Sequence, residues 1–113
     1  MTLVSELKDA QLDYWVAKAD KLTAYRLIDK MGGCWVDDPE RPTLIQYSPS
    51  TDWSQGGPII EMERIEFAEH ANRWDASLTR SDGQTFNACG ETHLIAAMRC
   101  LVASKFGEEV PDE

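Results

Sequence analysis

Histidine and cysteine are the side chains best suited to chemistry near neutral pH, because imidazole titrates there and thiolate is both a nucleophile and a soft metal ligand. The chain has two of the first, His70 and His93, and three of the second, Cys34, Cys89 and Cys100. None of the cysteines forms a CxxC pair, and the histidines lie far apart, so the spacing of a zinc finger or a zincin is missing. No metal or other cofactor is expected. Cys89 precedes Gly90 and the start of the last predicted helix, where a helix dipole lowers a thiol pKa, which makes it the best candidate nucleophile. Nucleophilic catalysis also needs a general base, a group to orient it and oxyanion donors. His93 sits at the same helix start with no third member in view, so Cys89 reads as packing and the chain as a non-enzyme.

Residues that hold a ligand are better represented. In YSPSTDWSQGGPIIEMERIEF, Asp52 and Trp53 stand just before Gly56 and Gly57. The glycine pairs at 32–33 and 56–57 lack the GxGxxG and GxxxxGK[ST] contexts and are turn formers first. Even so, backbone N–H groups beside an aromatic face and a helix start can meet a ligand. Arg99 interrupts the apolar run LIAAMRCLVAS, and a guanidinium there must be paired, either with a carboxylate such as Asp52 or Asp75 or with a ligand phosphate held bidentately. Asp52, Trp53, Gly56, Gly57 and Arg99 therefore form the candidate ligand site, with the stacking surface, N–H donors and phosphate clamp that a nucleotide-like molecule requires. Of the four tryptophans, Trp15 and Trp74 fall on predicted core faces, and Trp35 and Trp53 are candidates for exposure.

Charge narrows the partners. Eleven Lys and Arg against twenty Asp and Glu give a formal net charge of -9. Binding to a phosphate backbone needs clustered cations, whereas here they are interleaved with acids, so direct nucleic-acid binding is not expected. An acidic surface repels anionic membranes and steers toward a basic protein partner, and Glu61, Glu63, Glu66 and Glu69 crowd one segment. With no apolar stretch of membrane-spanning length, no signal-peptide pattern and an odd number of cysteines, the expected setting is a soluble protein in a reducing cytoplasm.

The elements that must position these residues follow from periodicity. Leu12, Trp15, Val16 and Ala19 mark an amphipathic helix from Asp9. Tyr25 to Ile28 and Cys34 to Val36 read as a hairpin turning at Gly32-Gly33, and Thr43 to Tyr47 as an edge strand. Ser50 or Thr51, and again Gly57-Pro58, predict caps of an interrupted helix. Ile65 to Phe67, the alternating RWDASLTR and Thr85 to Ala88 are strands, with Ser81-Asp82-Gly83 turning the last pair. The final helix, capped by Thr92 and stopped at Gly107, is apolar on so broad a face that it must be covered. The prediction is one α+β domain over 1–107, a small antiparallel sheet of about four to five strands with the N-terminal and C-terminal helices on one face, and a fraying acidic tail over 108–113.

The segment from Tyr47 to Val110, with Trp53, Pro58-Ile59-Ile60, Trp74 and Leu94-Ile95-Ala96-Ala97-Met98 in order, together with LDYWVAKA near the N-terminus, resembles the NinX family of small proteins encoded by tailed phages and prophages. The resemblance carries no catalytic residue onto this chain. It implies an accessory product made in the cytoplasm of an infected bacterium, acting by binding. Two readings follow: a protein that counters host defence by sequestering a nucleotide-derived signal, and an acidic antagonist of a basic host protein. A symmetric dimer is compatible with both.

Overall fold

A computed structural model of the chain describes residues 2–19, 24–26, 34–37 and 44–111. In order, the elements are β1 (Thr2–Leu3), a short 3-10 turn (Val4–Glu6), α1 (Asp9–Ala19), β2 (Ala24–Arg26), β3 (Cys34–Asp37), β4 (Leu44–Gln46), α2 (Trp53–Glu63), β5 (Glu66–His70), β6 (Arg73–Thr79), β7 (Thr85–Gly90), α3 (His93–Phe106) and β8 (Glu109–Val110). The mixed α+β class stands. The expected single sheet does not form: the strands make three small antiparallel sheets, β1-β8, β2-β3-β4 and β5-β6-β7. Among the described residues the two meanders lie on different helices, β2 and β3 against α1 and β6 and β7 against α3, with α1 and α3 packed on each other between them. The expected hairpin exists as β2 paired antiparallel with β3, Arg26 opposite Cys34, while Gly32 and Gly33 lie outside the described residues.

The organising element is α3. Thr92 caps it by accepting the Ile95 N–H at 3.1 Å, and Gly107 ends it at φ 89, a left-handed backbone that costs glycine little. Leu94, Ala96, Ala97, Met98, Cys100, Leu101 and Val102 are all buried, as the breadth of its apolar face required. One side lies on β6 and β7, where Trp74, Ala76 and Leu78 alternate with the outward Asp75 and Ser77. The register Ala76 to Ala88 and Leu78 to Phe86 places small and large side chains in facing rows beneath the helix. The other side meets α1, through which Trp15 packs edge-on to Phe106 at 5.4 Å. Since α1 also covers β2 and β3, the two helices form a layer between small sheets and do not share one sheet face.

Of the acidic tail over 108–113, residues 108–111 are among those described, and β8 lies within them. Val110 is fully buried opposite Thr2, and the Val4 N–H donates to the Glu108 carbonyl at 2.8 Å. Burial of Val110 fastens β8 to the body, because fully burying a side chain of that size is worth about 1.5 kcal/mol or more.

One buried carboxyl joins distant parts of the fold. Asp13 of α1 is only 4% exposed, and its Oδ1 accepts the Ser50 N–H at 2.8 Å, fastening the turn that leads into α2. Burial raises its pKa to about 6, against the pull of the Ser50 hydroxyl and amide and with a small push from the charge of Asp9. The Ser50 hydroxyl itself is buried without a partner in hydrogen-bond geometry. A carboxyl whose folded pKa exceeds its usual 3.8 stabilises the fold while protonated, and that contribution is lost as pH rises from about 4 through about 6. Two pKa units correspond to roughly 3 kcal/mol. Asp13→Asn keeps the acceptor for Ser50 and cannot ionise, so it is expected to melt higher than the wild type at pH 7.5. Thermal melts should show that advantage shrinking toward pH 4; a constant offset would refute the assignment.

Candidate functional site

The site grows from the start of α2. Asp52 is its N-cap, its Oδ1 accepting the Ser54 N–H at 2.9 Å and the Ser54 hydroxyl at 2.7 Å, and these bonds hold the carboxyl below its usual pKa. Thus Asp52 caps the helix, where Ser50 or Thr51 was expected to. The helix then runs uninterrupted through Pro58, so Gly57-Pro58 does not open a second helix. Gly56 is buried because α2 comes close to other backbone there: a Cβ would strike the Pro49 carbonyl oxygen and lie 2.6 Å from Leu94 Cδ2. Its N–H donates to the Asp52 carbonyl at 2.8 Å, within the helix. Gly57 lies under the indole of Trp53, whose Cε3 would be 3.7 Å from an added Cβ.

Arg99 is committed elsewhere. Its Nε donates to the Leu7 carbonyl at 2.8 Å and its Nη1 to the Cys89 carbonyl at 2.9 Å, so the guanidinium ties the segment before α1 to the end of β7 through α3. In place of the expected carboxylates Asp52 or Asp75, the partners are backbone carbonyls, which accept two donors at fixed angles without adding a buried negative charge. The five candidate residues therefore separate. Asp52, Trp53 and Gly57 gather at the start of α2, Gly56 packs inward, and Arg99 lies about 9 Å along α3 from its first residue.

What Trp53 meets instead is an aromatic cluster. The imidazole of His93, at the start of α3, stacks on Trp74 with centroids 3.7 Å apart and planes at 29°. Phe67 meets the same ring edge-on at 4.9 Å, and Trp53 leans toward it at 6.0 Å. Trp53 remains 56% exposed, and the ring nitrogens of His93 make no hydrogen bond among the described residues. Carboxylates rim this face: Asp52 beside Trp53, and Glu69 directly across the ladder from Trp74. Sequence reasoning placed Trp74 and His93 on the correct elements and missed that they converge. The available signal was His93 as the first residue after a cap, facing a strand whose alternation puts Trp74 inward.

The nucleophile candidate gains no support from its surroundings. Cys89 pairs with Asp75 on the outer face of β6 and β7, whereas His93 stacks on Trp74 of the opposite face. Cys100 is buried, which pushes its thiol up to about 11. Among the described residues no group of three His, Cys, Asp or Glu side chains is placed to hold a metal ion, and no helix is long and apolar enough to cross a membrane.

Comparison with family models adds one result: the model of bacteriophage P22 NinX matches residues 3–105. The chain belongs to the bacteriophage P22 NinX family. No curated protein matches it. The match to NinX covers Trp53, Phe67, Trp74, His93 and Arg99 and ends in the last turn of α3, before β8.

Two substitutions separate scaffold from surface in this NinX-family chain. Arg99→Met leaves the Leu7 and Cys89 carbonyls without their donors and is expected to lower stability by about 2–4 kcal/mol in denaturant melts. Gly56→Ala forces α2 away from Pro49 and Leu94, with an expected loss of about 1–3 kcal/mol. Wild-type stability in either variant would contradict the packing described.

Proposed function

We propose that this phage accessory protein works by binding, without catalysis, and that it docks its acid-rimmed aromatic face on a basic host protein in the cytoplasm of the infected cell. The observation that supports this most directly is Trp53, a large indole left 56% exposed on top of a packed aromatic cluster. Tryptophan is enriched among the few residues that dominate protein interfaces, where a rigid ring is covered with little loss of rotamer freedom. A rim of carboxylates selects a partner surface of opposite sign and steers its approach. The net charge of -9 acts in the same direction at longer range. Host defence proteins and nucleic-acid-binding proteins carry the basic surfaces this face would occupy.

The nucleotide-sequestering reading keeps a stacking surface and the open edge of His93, and it loses Arg99 as a phosphate clamp. One pair of measurements separates the two. In pull-downs from host lysate, the wild-type protein is expected to retain a basic partner that Trp53→Ala loses, with capture falling sharply at high salt because exposed charges are screened beyond about 10 Å at 0.1 M. Trp53 is exposed, so the variant should melt like the wild type. Equal capture by both proteins would refute the docking face. A melting shift with cyclic nucleotides or ADP-ribose derivatives that Trp53→Ala abolishes would favour the small-molecule reading; a ligand at a hundred times its Kd adds about 2.7 kcal/mol.

A further inference from the structure

At the other end of α2 the electrostatics reverse. Arg64, Arg80 and Lys105 line one open depression of about 490 Å³, with Glu63 as its sole acidic lining residue and Thr79 and Ser81 also at its wall. The volume lies within the range of small-ligand sites, roughly 300–1,000 Å³. Three cations together are unexpected in a chain with nearly twice as many acids as bases.

Helix dipoles account for part of this, since Lys105 lies in the last turn of α3 and Arg64 is the C-cap of α2, where cations offset partial negative charge. They do not account for Arg80, which follows β6 at the head of a turn. Nor do they account for the backbone of Arg64, which is left-handed at φ 54 and ψ 46. That position ordinarily takes glycine or asparagine, and a side chain with a Cβ is strained there. From this position Arg64 lines the depression. None of the three cations is tightly spent. Arg80 reaches the Ser104 carbonyl only at 3.4 Å and Asp82 only at 4.0 Å and lies 5.9 Å over the Phe86 ring, and Arg64 and Lys105 have no ion pair among the described residues.

We infer that this depression binds a small phosphate-bearing anion, up to a nucleotide in size. The two guanidiniums supply planar donors for phosphate oxygens, Lys105 a mobile charge, and Ser81 a neutral hydroxyl. The site is independent of the docking face, from which it is separated by the length of α2, about 16 Å.

The test uses the whole chain and two probes, pyrophosphate and ADP, titrated at constant ionic strength and followed by calorimetry and thermal melts. Saturable binding is expected, weakened at least tenfold in Arg80→Gln/Lys105→Gln. Arg64→Gly should melt higher than the wild type without ligand, because it relieves the left-handed strain, and yet bind more weakly. Tighter binding of ADP than of pyrophosphate would assign a nucleotide; equal binding would assign the phosphate groups alone. The inference is overturned if neither probe saturates in the millimolar range, or if the variants bind as the wild type does. Neither result bears on the Trp53 pull-down.

Discussion

The architecture depends on the need to cover α3. A helix with seven buried apolar residues cannot remain at a surface, and each neighbouring element is placed where it removes part of that helix from water. The β5-β6-β7 meander takes one side, α1 a second, and the N-terminal segment with β8 closes the remainder. Arg99 is the price of running one helix through the middle: the cation that emerges from the stripe is held by carbonyls of two segments and so becomes a cross-brace. A neutral donor of the same length would satisfy fewer acceptors, and a carboxylate partner would add a second ion to desolvate.

Covering α3 leaves α2 at the periphery, and the two surfaces proposed to bind lie at its ends. Its first turn is fastened to the body by Gly56 against Pro49 and, indirectly, by Asp13 through Ser50. That fastening holds Trp53 against the His93 cluster with much of the indole in water. At its last turn the chain reverses through a left-handed arginine, and cations from β6 and α3 meet it. An acid-rimmed aromatic face and a basic depression thus lie at opposite ends of one helix.

Much of the fold was legible in residue order. Repeating apolar positions located α1 and α3 to within a residue or two, Thr92 and Gly107 marked the ends of α3, and strict alternation identified β6 with its inward Trp74. These are local signals, set by helical and strand periods and by the chemistry of caps. The same local reading also found Asp52 and Trp53 at a helix start and recognised Arg99 as a guanidinium that must be paired. Membership of the NinX family was visible in the spacing of the same residues.

Tertiary structure alone decided the rest, because it depended on contacts between positions far apart in the chain. Periodicity cannot say that Leu7 and Cys89 present carbonyls to Arg99, that Val110 returns to Thr2, or that the two meanders pack on different helices. Nor can it gather Phe67, Trp74 and His93 beneath Trp53, since each separately reads as an ordinary core or surface residue. The order of the residues determined which segments would be helix or strand and which side chains wanted partners. Which partners they obtained was settled by close packing around α3, where shape and the pairing of buried polar groups act between segments far apart in the chain.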